Sequence, residues 1–190
     1  MDQLEIIEKL KRGDAGVFKQ VVEQWQEKVF NTAINIVQNE ADAEDITQEV
    51  FVTLYQRKET FRGDALLSTW LYRVTINKAL DHEKKQNRKK RGGGLRSFFV
   101  SEEWQEPVHF EHPGALVENK EKAKALFIAL KKIPDAQRIA FIMHKMEGKS
   151  FEEIAAITEN TRMAVESLMA RAKVNLRNVL KSWYEINMIK

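Results

Sequence analysis

The first 106 residues contain no proline, and the three prolines of the chain stand at 107, 113 and 134. A stretch without the residue that most reliably breaks a helix ladder is free to form long helices. Its apolar residues recur at the matching period. Phe18, Val21, Val22, Trp25, Val29, Phe30, Ala33, Ile34 and Val37 hold one face of a single long helix, with Asp14 placed as its N-cap. A shorter helix is expected before it, from Asp2 to Lys11, ended by Gly13. A third is expected from Asn39 or Glu40 to Arg57, burying Ala43, Ile46, Val50, Phe51 and Leu54. A fourth is expected to start with Ser68 as its cap and to carry Trp70, Leu71, Val74, Ile76 and Leu80. It then runs into the basic stretch Lys84–Arg91 and stops at Gly92-Gly93-Gly94.

Beyond those glycines the pattern changes. Up to Pro113 the chain has glycine, proline, scattered aromatics and no period, which reads as a linker too long for a loop inside one compact domain. Helical spacing resumes over Leu116–Ile133, and Pro134 starts a further helix through Ile139, Ile142 and Met146 that Gly148 closes. The last segment, Ser150 to Lys181, reads as two helices joined by the polar turn Thr158-Glu159-Asn160-Thr161. Phe151, Ile154, Ala155 and Ile157 form the first apolar face. Val165, Leu168, Met169, Ala172, Leu176 and Leu180 form the second. Ala155 is small where the helices cross and Val165 is placed to pack back, which is the helix-turn-helix pattern. An ordinary helical hairpin has the same spacing. The expected fold class is all-α, with two helical domains on a flexible linker: residues 1–91, a linker over 92–116, and residues 117–190.

Charge separates these segments more sharply than the net +3 suggests. Residues 1–83 hold 10 Lys/Arg against 15 Asp/Glu, whereas residues 84–96 hold seven Lys/Arg and no acid. Residues 97–119 hold five acids and no Lys/Arg, and residues 120–190 hold 14 Lys/Arg against 8 Asp/Glu. An acidic first half suits a protein partner, with nucleic acid confined to the basic ends. The chain has no cysteine, which excludes a disulfide framework and thiolate chemistry. The N-terminus lacks the basic start and apolar core of a signal peptide, and no apolar run reaches membrane-span length. A soluble, cytoplasmic protein is expected.

Three strings occur in one order: Asp42-Ala-Glu-Asp-Ile-Thr-Gln-Glu-Val-Phe51, then Thr69-Trp-Leu-Tyr-Arg-Val-Thr-Ile-Asn77, then Ile133-Pro134-Asp135 ahead of the helix-turn-helix. This succession resembles the extracytoplasmic-function (ECF) group of bacterial sigma factors, the promoter-recognition subunits of RNA polymerase. The resemblance implies an N-terminal region 2 domain that binds core polymerase and the −10 element, and a C-terminal region 4 domain that binds the −35 element. Core RNA polymerase and promoter DNA are the implied partners. An anti-sigma factor that clamps both domains is a further one, as many members are held inactive in this way.

The resemblance implies a role for specific residues. Asp42, Asp45, Gln48, Glu49 and Phe51 on the third helix are assigned to the coiled-coil clamp of the largest polymerase subunit. On residue pattern alone, the acidic ones among them, which mostly lie opposite the Ile46–Val50–Leu54 stripe, more readily describe a solvated helix flank. For the −10 element the implied residues are Phe61 and Arg62 in the loop, with Arg73, Thr75, Asn77 and Lys78 on the fourth helix. Asn77 has the two-pronged amide that pairs with an adenine edge. Trp70 lies on the apolar stripe, so core packing ranks ahead of base stacking for it. Lys84, Lys85 and Arg88 are placed to meet backbone phosphates. In the linker, Glu102, Glu103 and Glu106 among Phe98, Phe99 and Trp104 either mimic nucleic-acid charge in the polymerase channels or form a plain tether.

The helix-turn-helix departs from the family pattern. Glu159 stands where a glycine is usual, leaving Asn160 as the neighbour tolerant of a left-handed backbone. Glu166 and Leu168 replace the common Lys and Arg of the reading helix. The −35 candidates are Thr161, Arg162, Glu166, Ser167, Arg171 and Lys173, with Glu166 able to accept from a cytosine amino group. The competing readings are a free-standing helix-turn-helix regulator and a metal-dependent nuclease. His109 and His112 lie close in the linker, but His82 and His144 are isolated, and no phosphate loop, nucleophile elbow or catalytic carboxylate pair is evident. No enzyme activity, metal or cofactor is expected.

Overall fold

The computed structural model describes residues 3–60, 66–92 and 118–187. All the regular structure among them is helical. The chain divides into two compact units, one ending at Pro107 and the other beginning at Val108.

The N-terminal unit contains α1 (Gln3–Lys11), α2 (Ala15–Val37), α3 (Glu40–Arg57) and α4 (Leu67–Gly92), with a single 3-10 turn over Lys58–Thr60 after α3. Helix boundaries follow the local chemistry. Gly13 takes a φ of 78° to end α1, and the Asp14 carboxylate accepts from the N–H groups of Gly16 and Val17 to start α2. At the α2–α3 corner Gln38 is left-handed and its N–H closes onto Ile34 O, while the Asn39 side chain accepts from Asp42 N–H. Helix α2 packs against both α3 and α4, which also pack against each other. Their shared interior holds Ile34 and Ile36 of α2, Ala43 and Val50 of α3, and Leu71 and Ala79 of α4.

One helix start differs from expectation. Ser68 does not cap α4, which begins at Leu67 with Leu66 O accepting from Trp70 N–H. Leu67 is buried, so anchoring an apolar residue in the core moves the start two residues ahead of where a Ser68 cap would set it.

The C-terminal unit contains α5 (Glu118–Leu130), α6 (Asp135–Lys145), α7 (Phe151–Thr158) and α8 (Arg162–Asn187). Helix α8 is the spine, since α5, α6 and α7 all pack on it. Phe127, Leu130, Ile142, Met143, Ile154, Val165 and Met169 are fully or almost fully buried there. A polar tie crosses this core, where Asn175 Nδ2 of α8 donates to Gln137 Oε1 of α6 over 2.7 Å.

Helix α7 opens with a complete capping box. Glu153 N–H donates to Ser150 Oγ over 3.1 Å, and Ser150 N–H donates to Glu153 Oε2 over 2.8 Å. The Ser150 N–H bond, chiefly, holds the Glu153 carboxyl below its ordinary value of 4.5. A carboxylate lowered on folding stabilises fully above its unfolded value and loses that contribution as pH falls through the folded one. Glu153→Gln is therefore expected to flatten the acid limb of stability of the C-terminal unit. Hydrogen exchange at α7 between about pH 3 and pH 6 would check this; an unchanged acid limb would contradict it.

At the other end of α7, Glu159 itself takes the left-handed conformation, with φ 55° and ψ 41°. The expectation that Asn160 would supply it is corrected. The N–H groups of both Glu159 and Asn160 converge on Ala155 O, a closure that needs the left-handed residue directly after the helix. Asn160 serves differently, since its Nδ2 donates to Thr158 O and Oγ1. A non-glycine residue in this region carries about 1–2 kcal/mol of strain, partly offset by glycine's greater freedom when unfolded. Glu159→Gly should thus stabilise the C-terminal unit by about 0.5–1 kcal/mol. A fall in its urea midpoint would contradict this.

Candidate nucleic-acid and partner interfaces

On α3 the sequence separates two faces. Ala43, Ile46, Val50 and Leu54 point inward and are buried, whereas Asp45, Gln48 and Glu49 are exposed and Asp42 is half-buried on the outer side. Phe51 follows the apolar stripe, at 7% exposure, and its ring belongs to the core rather than to the acidic face. The outer face is richer than the acidic string suggests. Val52 and Tyr55 are exposed beside it, and a shallow groove of about 330 Å³ is lined by Asp45, Gln48, Glu49, Val52, Gln56 and Lys78, among others. Tyr55 is held edge-on by Phe18, with ring centroids 5.5 Å apart, and the Lys58 ammonium lies 4.4 Å from its ring centre. Val52 falls directly after Phe51, the last residue of the motif, and its place off the inward stripe was the available signal for it.

Helix α4 is tied to this face by two polar contacts. Lys78 Nζ lies 3.1 Å from Glu49 Oε2, and His82 Nε2 lies 3.1 Å from Asp42 Oδ1. The other candidates on α4 divide by helical position. Asn77, Lys84, Lys85 and Arg88 are exposed, Arg73 and Trp70 are half-buried, and Thr75 is at 0% exposure. Thr75 sits in the stripe Leu71–Tyr72–Thr75–Ile76–Ala79, where its hydroxyl donates to Leu71 O over 2.8 Å. That bond lets a polar residue occupy a core position without an unmet donor. Its hydroxyl cannot reach a base from there. Phe61, Arg62, the linker carboxylates and aromatics, and His109 and His112 lie outside the described residues.

In the C-terminal unit, Thr161 just ahead of α8 and Arg162, Glu166, Ser167, Arg171 and Lys173 on it are all exposed. Their partners distinguish them. Thr161 Oγ1 accepts from Ala164 N–H and so caps α8. Arg162 bridges two carboxylates, 2.8 Å from Glu152 of α7 and 2.9 Å from Glu166 of α8. It therefore fastens the two helices across the turn, although exposed pairs of this kind each contribute only about 0–1 kcal/mol. Arg171 and Lys173 are exposed on the next turns of the helix, where Arg171 Nε donates to Ser167 O over 3.3 Å.

Comparison with known proteins follows the same division. Residues 21–89 match the family model for Sigma-70 region 2, and residues 126–176 match that for Sigma-70, region 4. The ECF RNA polymerase sigma-E factor of Escherichia coli K12 is 29% identical over 182 residues, covering 91% of each chain. The RNA polymerase sigma-H factor of Pseudomonas aeruginosa is 26% identical over 181 residues, covering 93% of each. Among solved structures, CnrH in complex with the cytosolic domain of CnrY has a TM-score of 0.66 at 21% identity, covering 95% of this chain and 97% of that one. The sigma factor RpoE of Bartonella quintana, solved with the anti-sigma factor NepR, has a TM-score of 0.66 at 24% identity, covering 86% of this chain and 96% of that one.

Proposed function

Because this chain belongs to the sigma-70 family, as a sigma factor of the ECF group, we propose that its promoter-directing role is divided between the surfaces just described. It binds core RNA polymerase and promoter DNA and directs transcription initiation, while the polymerase performs the chemistry. Residues 1–91 form the region 2 domain, 92–116 the linker and 117–190 the region 4 domain. The exposed side of α3, with Asp42, Asp45, Gln48 and Glu49, is the polymerase-docking surface, and its acidic character suits a cationic partner helix. Asn77 reads a base of the −10 element, with Lys78 and Arg73 beside it and Phe61 and Arg62 from the preceding loop. Lys84, Lys85 and Arg88 follow the phosphates. On α8, Arg171 and Lys173 hold the backbone at the −35 element around Ser167 and Glu166, and Arg162 and Thr161 keep the turn in shape.

The observation that carries this assignment is the order of the two family matches, each ending in a cationic helix. The protein works where the polymerase is, in the cytoplasm, and it is not an enzyme. Among the described residues no helix is long and apolar enough to cross a membrane. An anti-sigma factor is included as a further partner, on the pattern of RpoE with NepR. The test is a reconstituted reaction of this protein with core polymerase on genomic DNA, with transcript starts mapped. One shared pair of upstream elements is expected at the starts that depend on it. Sequence-specific binding by the chain alone, without any dependent transcript, would favour a free-standing regulator.

A further inference from the structure

Helix α8 carries an apolar stripe on the side facing away from its own core. With Val165, Met169, Ala172 and Leu176 buried, helical spacing places Met163, Ser167, Ala170 and Val174 on the opposite side. Among the described residues of the C-terminal unit, the large apolar side chains most open to solvent are Met163, 79% exposed, and Val174, 52% exposed. Single exposed apolar residues need no explanation, but two on one line of one helix define a face.

The charge around that face indicates what covers it. Arg171 and Lys173 flank it, Arg177 and Lys181 continue along its line toward the C-terminal end, and all four are exposed. Of the acids near its N-terminal end, Glu152 and Glu166 are both engaged by Arg162. Such an arrangement, cationic at the flanks and apolar along the middle, fits a polyanion that offers apolar groups at its centre. Duplex DNA does so in the major groove, where each thymine presents a C5-methyl between the two phosphate walls. Met163 stands in the first turn of the second helix of a helix-turn-helix, where side chains meet base edges. Its unbranched, polarisable thioether adapts to a methyl surface. Ala170 leaves room for the helix to come close.

We propose that Met163 is a specificity-determining residue that reads thymine methyl groups in the upstream promoter element. This rests on the proposed binding of α8 at the −35 element, with the helix lying in the major groove. It also gives a physical sense to the departures from the family pattern. With Arg162 held by Glu152 and Glu166, and with Leu168 on the inner flank, the discrimination passes from hydrogen bonds at guanine to apolar contact at thymine.

The test uses holoenzyme assembled from the full chain and core polymerase, on a promoter duplex taken from its mapped starts. Replacing the thymines of the upstream element by deoxyuracil removes only their methyls. Wild-type affinity is expected to fall by about 4-fold for each methyl contacted, the effect of exposing one such group. Met163→Ala should show that loss on the thymine duplex already and then be insensitive to the replacement. Arg171→Ala should weaken both duplexes equally, as a phosphate contact does. Equal wild-type affinity for the two duplexes, with the upstream element still protected in a footprint, overturns the methyl reading alone; so does an element that contains no thymine. If the upstream element is not protected at all, the placement of α8 in the groove fails as well.

Discussion

Reversing two charges on the outer face of α3, by Asp45→Lys with Glu49→Lys, is expected to weaken binding to core polymerase by at least about 100-fold and to abolish promoter-specific transcription. Both side chains are exposed and lie off the apolar stripe, so the fold has no reason to fail. The only described intramolecular contact disturbed is the Lys78–Glu49 pair, itself partly exposed and of little weight for stability. Attraction to a cationic partner becomes repulsion at two adjacent points, which affects both encounter and residence. A variant carrying Glu49→Gln alone separates charge from shape and should lose less. If the double variant bound core polymerase as tightly as the parent, the docking surface would lie elsewhere.

The second large effect is expected from the core of the C-terminal unit. Phe127 of α5 is fully buried, and α5 packs on α8. Phe127→Ala removes a large ring and leaves a cavity, at a loss of about 3–5 kcal/mol. Small domains have about 5–15 kcal/mol in total, so this one substitution takes much of the unit's stability. Because the chain divides into two compact units, the loss should stay local. Hydrogen exchange should show amides of α5 to α8 losing protection, while α2 and α3 keep theirs. Transcription that depends on the upstream element should fall with it, whereas binding to core polymerase should fall little. Equal loss of protection in both units would mean that they unfold as one body.

Most of the helical plan was legible because burial writes its period into the chain. The Val21–Val29–Ala33 face of α2 and the Ile46–Val50–Leu54 stripe of α3 appear in the sequence as they do in the core. Period also decided where a motif could mislead. Phe51 stood both in the apolar stripe and in the string taken for a partner surface, and the structure places it with the stripe. Thr75 shows the converse case, a polar residue that the resemblance offered to DNA but that a bond to the carbonyl one turn back allows into the core. Ser68 and Asn160 failed as assignments for a different reason. Each is locally the better capping or turning residue, but packing of Leu67 and the shared acceptor Ala155 O settled the geometry. Pairings across helices, such as Arg162 with Glu152, leave no trace in periodicity and needed coordinates.

Two of the polar contacts between α3 and α4, Glu49 with Lys78 and Asp42 with His82, have a mechanical consequence. They link the two helices side by side, so under the proposed docking of α3 on the polymerase the orientation of α4, and of Asn77 with it, follows that of α3. Cutting one link, as in Lys78→Ala, would then be felt less as lost grip than as lost aim: the holoenzyme would still assemble but open its promoters less often per encounter.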